Sequence, residues 1–434
     1  MAIIRNRYRQ NRGIFSTVGA LICCILALQC RIGNKRLDRS LCSRCLEQKK
    51  NEQKMKTCII SNSHPTNDVR LYYKLAHSLA KLGEVHLICC SGVSNSAVNP
   101  YQETVNSESP LGKLYDLYHA AARYKPDLVI CVEPWTMWVG ILLKRRFKCA
   151  LVFDVHEFFA DAFAERFPFL LRPLARFSYL WAWRWLESRS DLTIAVNRDI
   201  LRQVVPDAQL ARKGLYLPNY PVKHVWDYTC DVPAGLADLC NMQFDLIYIG
   251  GLTYDRGILK LLKVISLLKP DFPNLKVLVA GTFFDPQVQR LFNSSVNNFN
   301  LNKHIYYQDW VPAEKVGLLL KRSRIGLWVF NPKNKRMSRA LPLKVMEYLA
   351  AGLPVVTTKT PLMSALIEKN GLGACAAYRS VDIATAIKKL LALKEEDYQK
   401  LSRHCLEQAE QRFNWEALEP ELLAAVTALR PVKN

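Results

Sequence analysis

The chain has 434 residues, half of them hydrophobic and a tenth aromatic, enough for two ordinary domains with sizeable cores. Its formal charge of +22 and pI of about 9.5 suit phosphorylated ligands, an anionic membrane face or nucleic acid. The cysteines exclude a disulfide scaffold and, beyond a lone Cys42-x-x-Cys45 with no matching second pair, offer no zinc-type spacing; Cys58, Cys89, Cys90, Cys131 and Cys149 lie in apolar runs and are expected as reduced core residues.

Residues 1–54 stand apart in composition. Arg5, Arg7, Arg9 and Arg12 precede an apolar run from Ile14 to Leu28, and Arg31, Lys35, Arg36, Arg39 and Arg44 follow it. The run is short for a membrane span, which needs about 20 apolar residues, and basic residues flank both ends, so they give no orientation. A signal-anchor, a surface-lying basic segment and an upstream extension outside the fold are three readings. The third is preferred, because Met55-Lys56-Thr57-Cys58-Ile59-Ile60-Ser61 leads straight into a first strand.

From Cys58 strands and helices alternate. A strand over Cys58–Ser61 is followed by a polar loop at 62–68 and a helix from about Val69 to Lys81, ended by Gly83. Val85–Cys90 is the second strand, and the polar stretch from Ser91 to Pro110 is expected as a loop. A helix over Leu111–Tyr124 and strands at 126–132 and 150–155 follow. Near-continuous apolar strands in repeated β–α units mean a parallel, doubly wound sheet. Ligands bind beyond the carboxyl ends of such strands. Asp68 and Arg70 after the first strand, and His156-Glu157 after Val155, are therefore candidate site residues. A His-Glu pair at a strand end can accept a proton or orient a hydroxyl; a structural, hydrogen-bonded histidine is the plainer alternative.

The stretch from Phe167 to Trp185 interleaves Arg172, Arg176 and Arg184 with Phe169, Leu170, Tyr179, Trp181 and Trp183. Such a pattern fits a helix at a lipid interface, with Phe169, Trp181 and Trp183 as the inserting side chains; a buried helix with a few exposed arginines fits it nearly as well. No nucleic-acid-binding motif is present. Another strand covers 191–196, and Leu217-Pro218-Asn219-Tyr220-Pro221 leads into a polar, irregular region.

The second half opens with Asp245–Ile249, a strand running into Gly250-Gly251, where the backbone can approach a ligand closely. Arg256 lies near the next helix start and can bind phosphate oxygens as a fork. The spacing is not that of a dinucleotide fingerprint. Leu275–Ala280 is a strand ending at Gly281-Thr282. The most informative stretch is Arg339 to Thr358. Leu343, Met346, Leu349 and Ala350 fall at helical spacing, Pro342 suits the first turn, Gly352 is placed as the cap glycine, and Val355-Val356 starts a strand. Lys344 in the first turn adds a cation where the helix dipole is already positive, which is unfavourable unless an anion shares the place. Glu347, three residues on, shares its face and can accept two hydrogen bonds from a ribose diol. A solvated helix with a stray Lys–Glu pair is the plainer reading.

The string P-x-K-x-x-E-Y-L-A-x-G-x-P-V-V at 342–356 resembles the donor-site signature of family-four retaining glycosyltransferases. The resemblance extends over roughly 55–420, including the loop and helix at 67–83, the D-x-H-E string at 154–157, L-P-N-x-P at 217–221 and Phe413-Asn414-Trp415-Glu416. It implies a GT-B fold: two Rossmann-like doubly wound α/β domains facing across a cleft. The expected boundaries are an extension at 1–54, an acceptor domain at 55–220, a linker at 221–241, a donor domain at 242–412 and a helix at 413–434 crossing back. It implies sugar transfer from a nucleotide diphosphate donor, with retention and without a cofactor or required metal. Gly250, Gly251, Arg256, Thr282, Val311, Lys344 and Glu347 then hold the donor, Glu347 at its ribose. Asp68 and Arg70 lie on the acceptor side, and His156 and Glu157 near the reacting carbon. The family's second glutamate, eight residues before Glu347, is replaced by Arg339, which leaves the sugar unspecified. The expected acceptor is a saccharide, membrane-linked or part of a cell-surface polysaccharide, and the expected location the cytoplasmic membrane face, without nucleic acid. A nucleotide-sugar isomerase and a non-catalytic basic protein are the rival classes.

Overall fold

A computed structural model describes residues 54–155, 160–223, 234–312, 315–339 and 341–429. The stretch Met55–Asn434 forms one unit; Cys42, Cys45 and the basic and apolar runs before Met55 lie outside the described residues.

Two wholly parallel sheets carry this unit. The first has seven strands, β1 (Met55–Ser61), β2 (Gly83–Cys89), β3 (Tyr101–Thr104), β4 (Leu128–Val132), β5 (Ala150–Val155), β6 (Leu192–Ala195) and β7 (Gly214–Tyr216), in the order β3-β2-β1-β4-β5-β6-β7. The second has six, β8 (Phe244–Ile249), β9 (Val277–Ala280), β10 (Ile305–Gln308), β11 (Ser323–Trp328), β12 (Val355–Thr358) and β13 (Gly373–Ala376), in the order β10-β9-β8-β11-β12-β13. The central strands are Ile, Val, Leu and Cys on both faces because helices cover both faces: Cys58 and Ile60 enter one core while Ile59 enters the other. The chain winds outward from β1 in one direction and then from β4 in the other, and likewise from β8 and β11. Each sheet thus has a switch point where strand ends diverge and leave room for a ligand. These are Rossmann-like domains of the GT-B type.

The region 91–110, expected as a loop, contains β3. It is four residues long, polar in sequence and at the sheet edge, so neither apolar periodicity nor length marks it. The helix expected at 69–81 is present as α1, but its first part, Val69–Ala76, is π-helical and only His77–Ala80 is α-helical. Further helices used below are α2 (Thr136–Phe147), α3 (Arg172–Glu187), α4 (Ile258–Leu268), α5 (Leu343–Ala350), α6 (Glu395–Arg412) and α7 (Trp415–Thr427).

The sheets are joined twice. The outward crossing leaves β7 through Leu217–Pro221; the return runs from α6 through Phe413-Asn414 into α7. The crossings touch: Trp415 N donates to Pro221 O at 2.9 Å, Lys223 N to Glu416 Oε1 at 3.0 Å, and the Tyr220 and Phe413 rings lie 5.7 Å apart. Helix α7 then packs on the first sheet. Trp415, Leu422 and Val426 share a core with Leu71, Leu75 and Ile130, and Trp415 Nε1 donates to Ser78 Oγ at 2.8 Å.

Candidate donor site

Helix α5 is seated by Tyr348. Its hydroxyl accepts from Ile249 N at 2.9 Å and donates to Leu327 O at 3.3 Å, tying the helix to both strands of the second switch point. Gly326 has no room for a side chain because the Tyr348 ring lies against its backbone. Pro342 is the residue before the helix, with extended backbone, so Leu343 and Lys344 form the first turn. Gly352 ends the element with φ +78°, a left-handed conformation that suits glycine.

Seated this way, α5 presents Lys344 and Glu347 together. Lys344 Nζ donates to Glu347 Oε2 at 3.3 Å, and Glu347 is only 8% exposed. Gly250 comes to the same place from the end of β8: its missing side chain would point at Lys344 Cε, 3.7 Å away, and Arg256 Nη1, 3.8 Å away. At Gly251 a Cβ would stand 2.8 Å from Arg256 Nη1 and against the Phe284 ring. Gly281, φ +146°, is backed against the Gly250 carbonyl, where any Cβ would collide. Arg256 is fixed through its backbone, with its carbonyl accepting from the Tyr248 hydroxyl at 2.8 Å. Two cations and a glycine bend therefore surround a small space beside a buried carboxylate, an arrangement that complements a diphosphate and an adjoining diol.

Thr282 lies one strand over, its Oγ1 donating to Asp309 Oδ1 at 2.8 Å and its carbonyl accepting from Leu252 N at 2.9 Å. Val311 packs, partly buried, against the core that holds Val345 and Met346. The hydrogen bonds of Thr282 thus go to Asp309 and Leu252 rather than to Lys344 or Glu347.

On the first domain, Asp68 caps α1: Oδ1 accepts from Arg70 N at 2.8 Å and Leu71 N at 3.0 Å, while Oδ2 faces His64 Nδ1 at 3.2 Å. Burial pushes its carboxyl up, but the His64 ring and the two backbone N–H groups outweigh that and leave it below the usual carboxylate range. Arg70 is placed in the core, 4% exposed, bidentate to fully buried Asp154 at 2.7 and 2.9 Å and donating to Leu217 O at 3.3 Å. Its guanidinium serves the fold, bracing β5 and the outward crossing. His156 and Glu157 lie outside the described residues, which stop at Val155 and resume at Ala160.

Three groups escape sequence reasoning. Glu133, just past β4, has left-handed φ of +67°. Its carboxylate gathers Ser61 Oγ at 2.9 Å, Ser63 Oγ at 2.7 Å and His64 Nε2 at 3.2 Å, so it shapes the loop after β1. Burial raises its pKa against those hydrogen bonds. The second is Lys74, fully buried on α1. The third is Asp161, shared by Arg176 and Arg339, each at 3.2 Å; Asn197 Nδ2 also donates to Arg339 O at 2.6 Å, so Arg339 bridges the two domains. A positive-φ glutamate and a buried lysine have no sequence signature; Asp161 needed the topology.

The two sheets with their paired switch points give a GT-B fold, with a cation-lined glycine bend beside a buried carboxylate at the second of them; that the chain is a glycosyltransferase rests on matches of both halves to known families. Residues 239–412 match the model for glycosyl transferases group 1, and residues 69–219 that for glycosyltransferase family 4. Glucosyltransferase 3 of Streptococcus parasanguinis is 22% identical over 310 residues, covering 70% of this chain and 79% of that protein. Among solved structures, Anabaena HepE in complex with UDP and glucose aligns with TM-score 0.66 at 14% identity, covering 86% of this chain and all of the other. Sucrose-phosphate synthase from Thermosynechococcus elongatus aligns with TM-score 0.63 at 15% identity, covering 86% and 99%.

Proposed function

We propose that the protein transfers a hexose from a nucleotide diphosphate donor, with retention, to a saccharide acceptor carried on a membrane lipid. The observation that carries the donor half is the convergence of Lys344, Arg256 and the Gly250–Gly251 bend beside Glu347. In this reading the cations neutralise the departing diphosphate, which stabilises charge where it develops, and Glu347 accepts from the ribose diol. HepE is described in complex with UDP and with UDP-glucose, which supports UDP-glucose as the donor to try first. Asp68 and the Glu133-shaped loop face the acceptor. Domain closure excludes water, which would otherwise hydrolyse the donor.

The membrane half rests on α3 and the turn before it. Phe169, Leu170, Leu174, Phe177 and Trp181 are exposed, with Arg166, Arg172 and Arg184 beside them. Such a face meets an anionic bilayer with both apolar and charged contacts. No described helix is long and apolar enough to cross a membrane; the contact proposed for α3 is with the bilayer surface.

The test is UDP release from UDP-glucose. The wild type is expected to release UDP and to gain thermal stability from it. Glu347→Gln should lose most of both with its secondary structure intact. Unchanged UDP stabilisation in Glu347→Gln would remove the donor assignment.

A further inference from the structure

Lys74 is the least expected side chain in the unit. It is fully buried and lies in the π-helical part of α1, a conformation that tends to occur at functional positions. An ammonium carries three donors, yet the hydrogen bond to Asn219 Oδ1 is the one that Lys74 makes among the described residues. Asn219 belongs to the outward crossing. The return crossing has a defect of its own: Glu416 accepts from Lys223 N through Oε1, while its Oε2 is buried without a partner. Lys74 thus touches the outward crossing directly and feels charges from three further places. Arg70 and Asp68 lie on its own helix, Asn219 on the outward crossing, Glu416 on the return, and Glu347 on the donor domain; the four charged groups all act on the Lys74 charge.

We infer that Lys74 is a proton-controlled lock on the hinge between the two domains, seated without strain when neutral and driving the crossings apart when charged. Burial is the main cause that brings its pKa down to about 7; Arg70 adds to that, and Glu347, Asp68 and Glu416 oppose it. The sign follows. In an opened hinge the lysine meets water and keeps its ordinary pKa near 10.5, so the open state binds more protons between about pH 7 and 10.5. The closed hinge therefore gains as pH rises through that window, and the gain levels off below it. One proton bound to the open state alone corresponds to about tenfold per pH unit.

The experiment is amide hydrogen exchange at Lys223 and Trp415, whose N–H groups bridge the two crossings. It is run from pH 6 to 9.5 on the full chain without nucleotide and corrected for intrinsic exchange. Being ligand-free, it is independent of the glycosyl-transfer reading. In the wild type, protection should rise above pH 7 with a slope approaching tenfold per unit. Lys74→Met should be highly protected with no slope, and Lys74→Arg weakly protected throughout, since a guanidinium keeps its proton. Glu416→Gln, which leaves Lys74 in place, should move the rise to lower pH because one opposing carboxylate is gone. A wild type without slope, Lys74→Met with the wild-type slope, or Glu416→Gln that leaves the rise where it was would each overturn the lock.

Discussion

Arg70 and Asp154 illustrate how burial fixes what a residue can do. Both stand in stretches where the sequence points to chemistry, after β1 and at the end of β5. Yet the carboxylate is fully buried and takes both arms of the guanidinium. Removing one member leaves a buried charge uncompensated, at a cost of about 3–5 kcal/mol. Asp154→Asn is therefore expected to lower the denaturation midpoint markedly, while Arg70→Met with Asp154→Leu, which removes both charges, should recover most of the loss. Denaturant titration of the three proteins decides; a double variant no better than the single would mean that Arg70 does more than balance Asp154. Lys344 and Glu347 are the contrary case. They too form an ion pair, but one that keeps part of its surface and faces the Gly250–Gly251 bend. Spacing along the helix was enough to pair them. What spacing could not supply was Tyr348, whose hydroxyl seats the helix from a position that reads in the sequence as one more apolar residue.

At the scale of elements, α3 separates what its composition blends. Tryptophans 181 and 183 are two residues apart, and on a helix that turns them to different sides. Trp181 is 62% exposed, whereas Trp183 is buried and stacks on Phe153 with ring centroids 5.3 Å apart. So the three aromatics expected at a lipid interface divide: Phe169 and Trp181 are free to insert, and Trp183 holds the helix to the first sheet. The buried reading of this stretch describes one side of the helix; the exposed side is the one on which the interfacial proposal rests. The apolar side continues beyond it, because Trp138 on α2 is exposed and lies 5.1 Å from the Trp185 ring. Phe169→Ser with Trp181→Ser should lose binding to vesicles containing anionic lipid while keeping the wild-type melting temperature. Trp183→Ser should melt early instead, through the cavity it leaves. Undiminished sedimentation of the first variant with such vesicles would dismiss the membrane contact. The sheets themselves were legible because buried parallel strands are continuous apolar runs. The edge strand β3 and the π-helical start of α1 were not, since a short polar edge and a one-residue change in helical pitch leave the hydrophobic pattern almost unaltered.

For the molecule as a whole, the return of α7 decides whether the two domains melt as one. Trp415 is 2% exposed, deep in a core whose other walls are α1 and the first sheet, and its indole N–H is satisfied by Ser78. Just before it, Phe413 packs in a core of the second domain, and Asn414 Nδ2 donates to Ala409 O on α6. A strain applied to either domain is therefore delivered to the other within three residues. Trp415→Ala removes one of the largest buried side chains, at about 3–5 kcal/mol for an aromatic truncated in a core; Trp415→Phe removes only part of the ring system and the hydrogen bond, the latter at about 1 kcal/mol together with the penalty of an unpartnered hydroxyl. If α7 is part of the first domain's core, Trp415→Ala should split calorimetric unfolding in two, the first domain melting early and the second near the wild-type temperature. Were α7 only an appendage, truncating Trp415 would leave a single transition at the wild-type temperature. The Phe variant sets the scale, because it keeps an aromatic ring in the core and should shift the transition without splitting it.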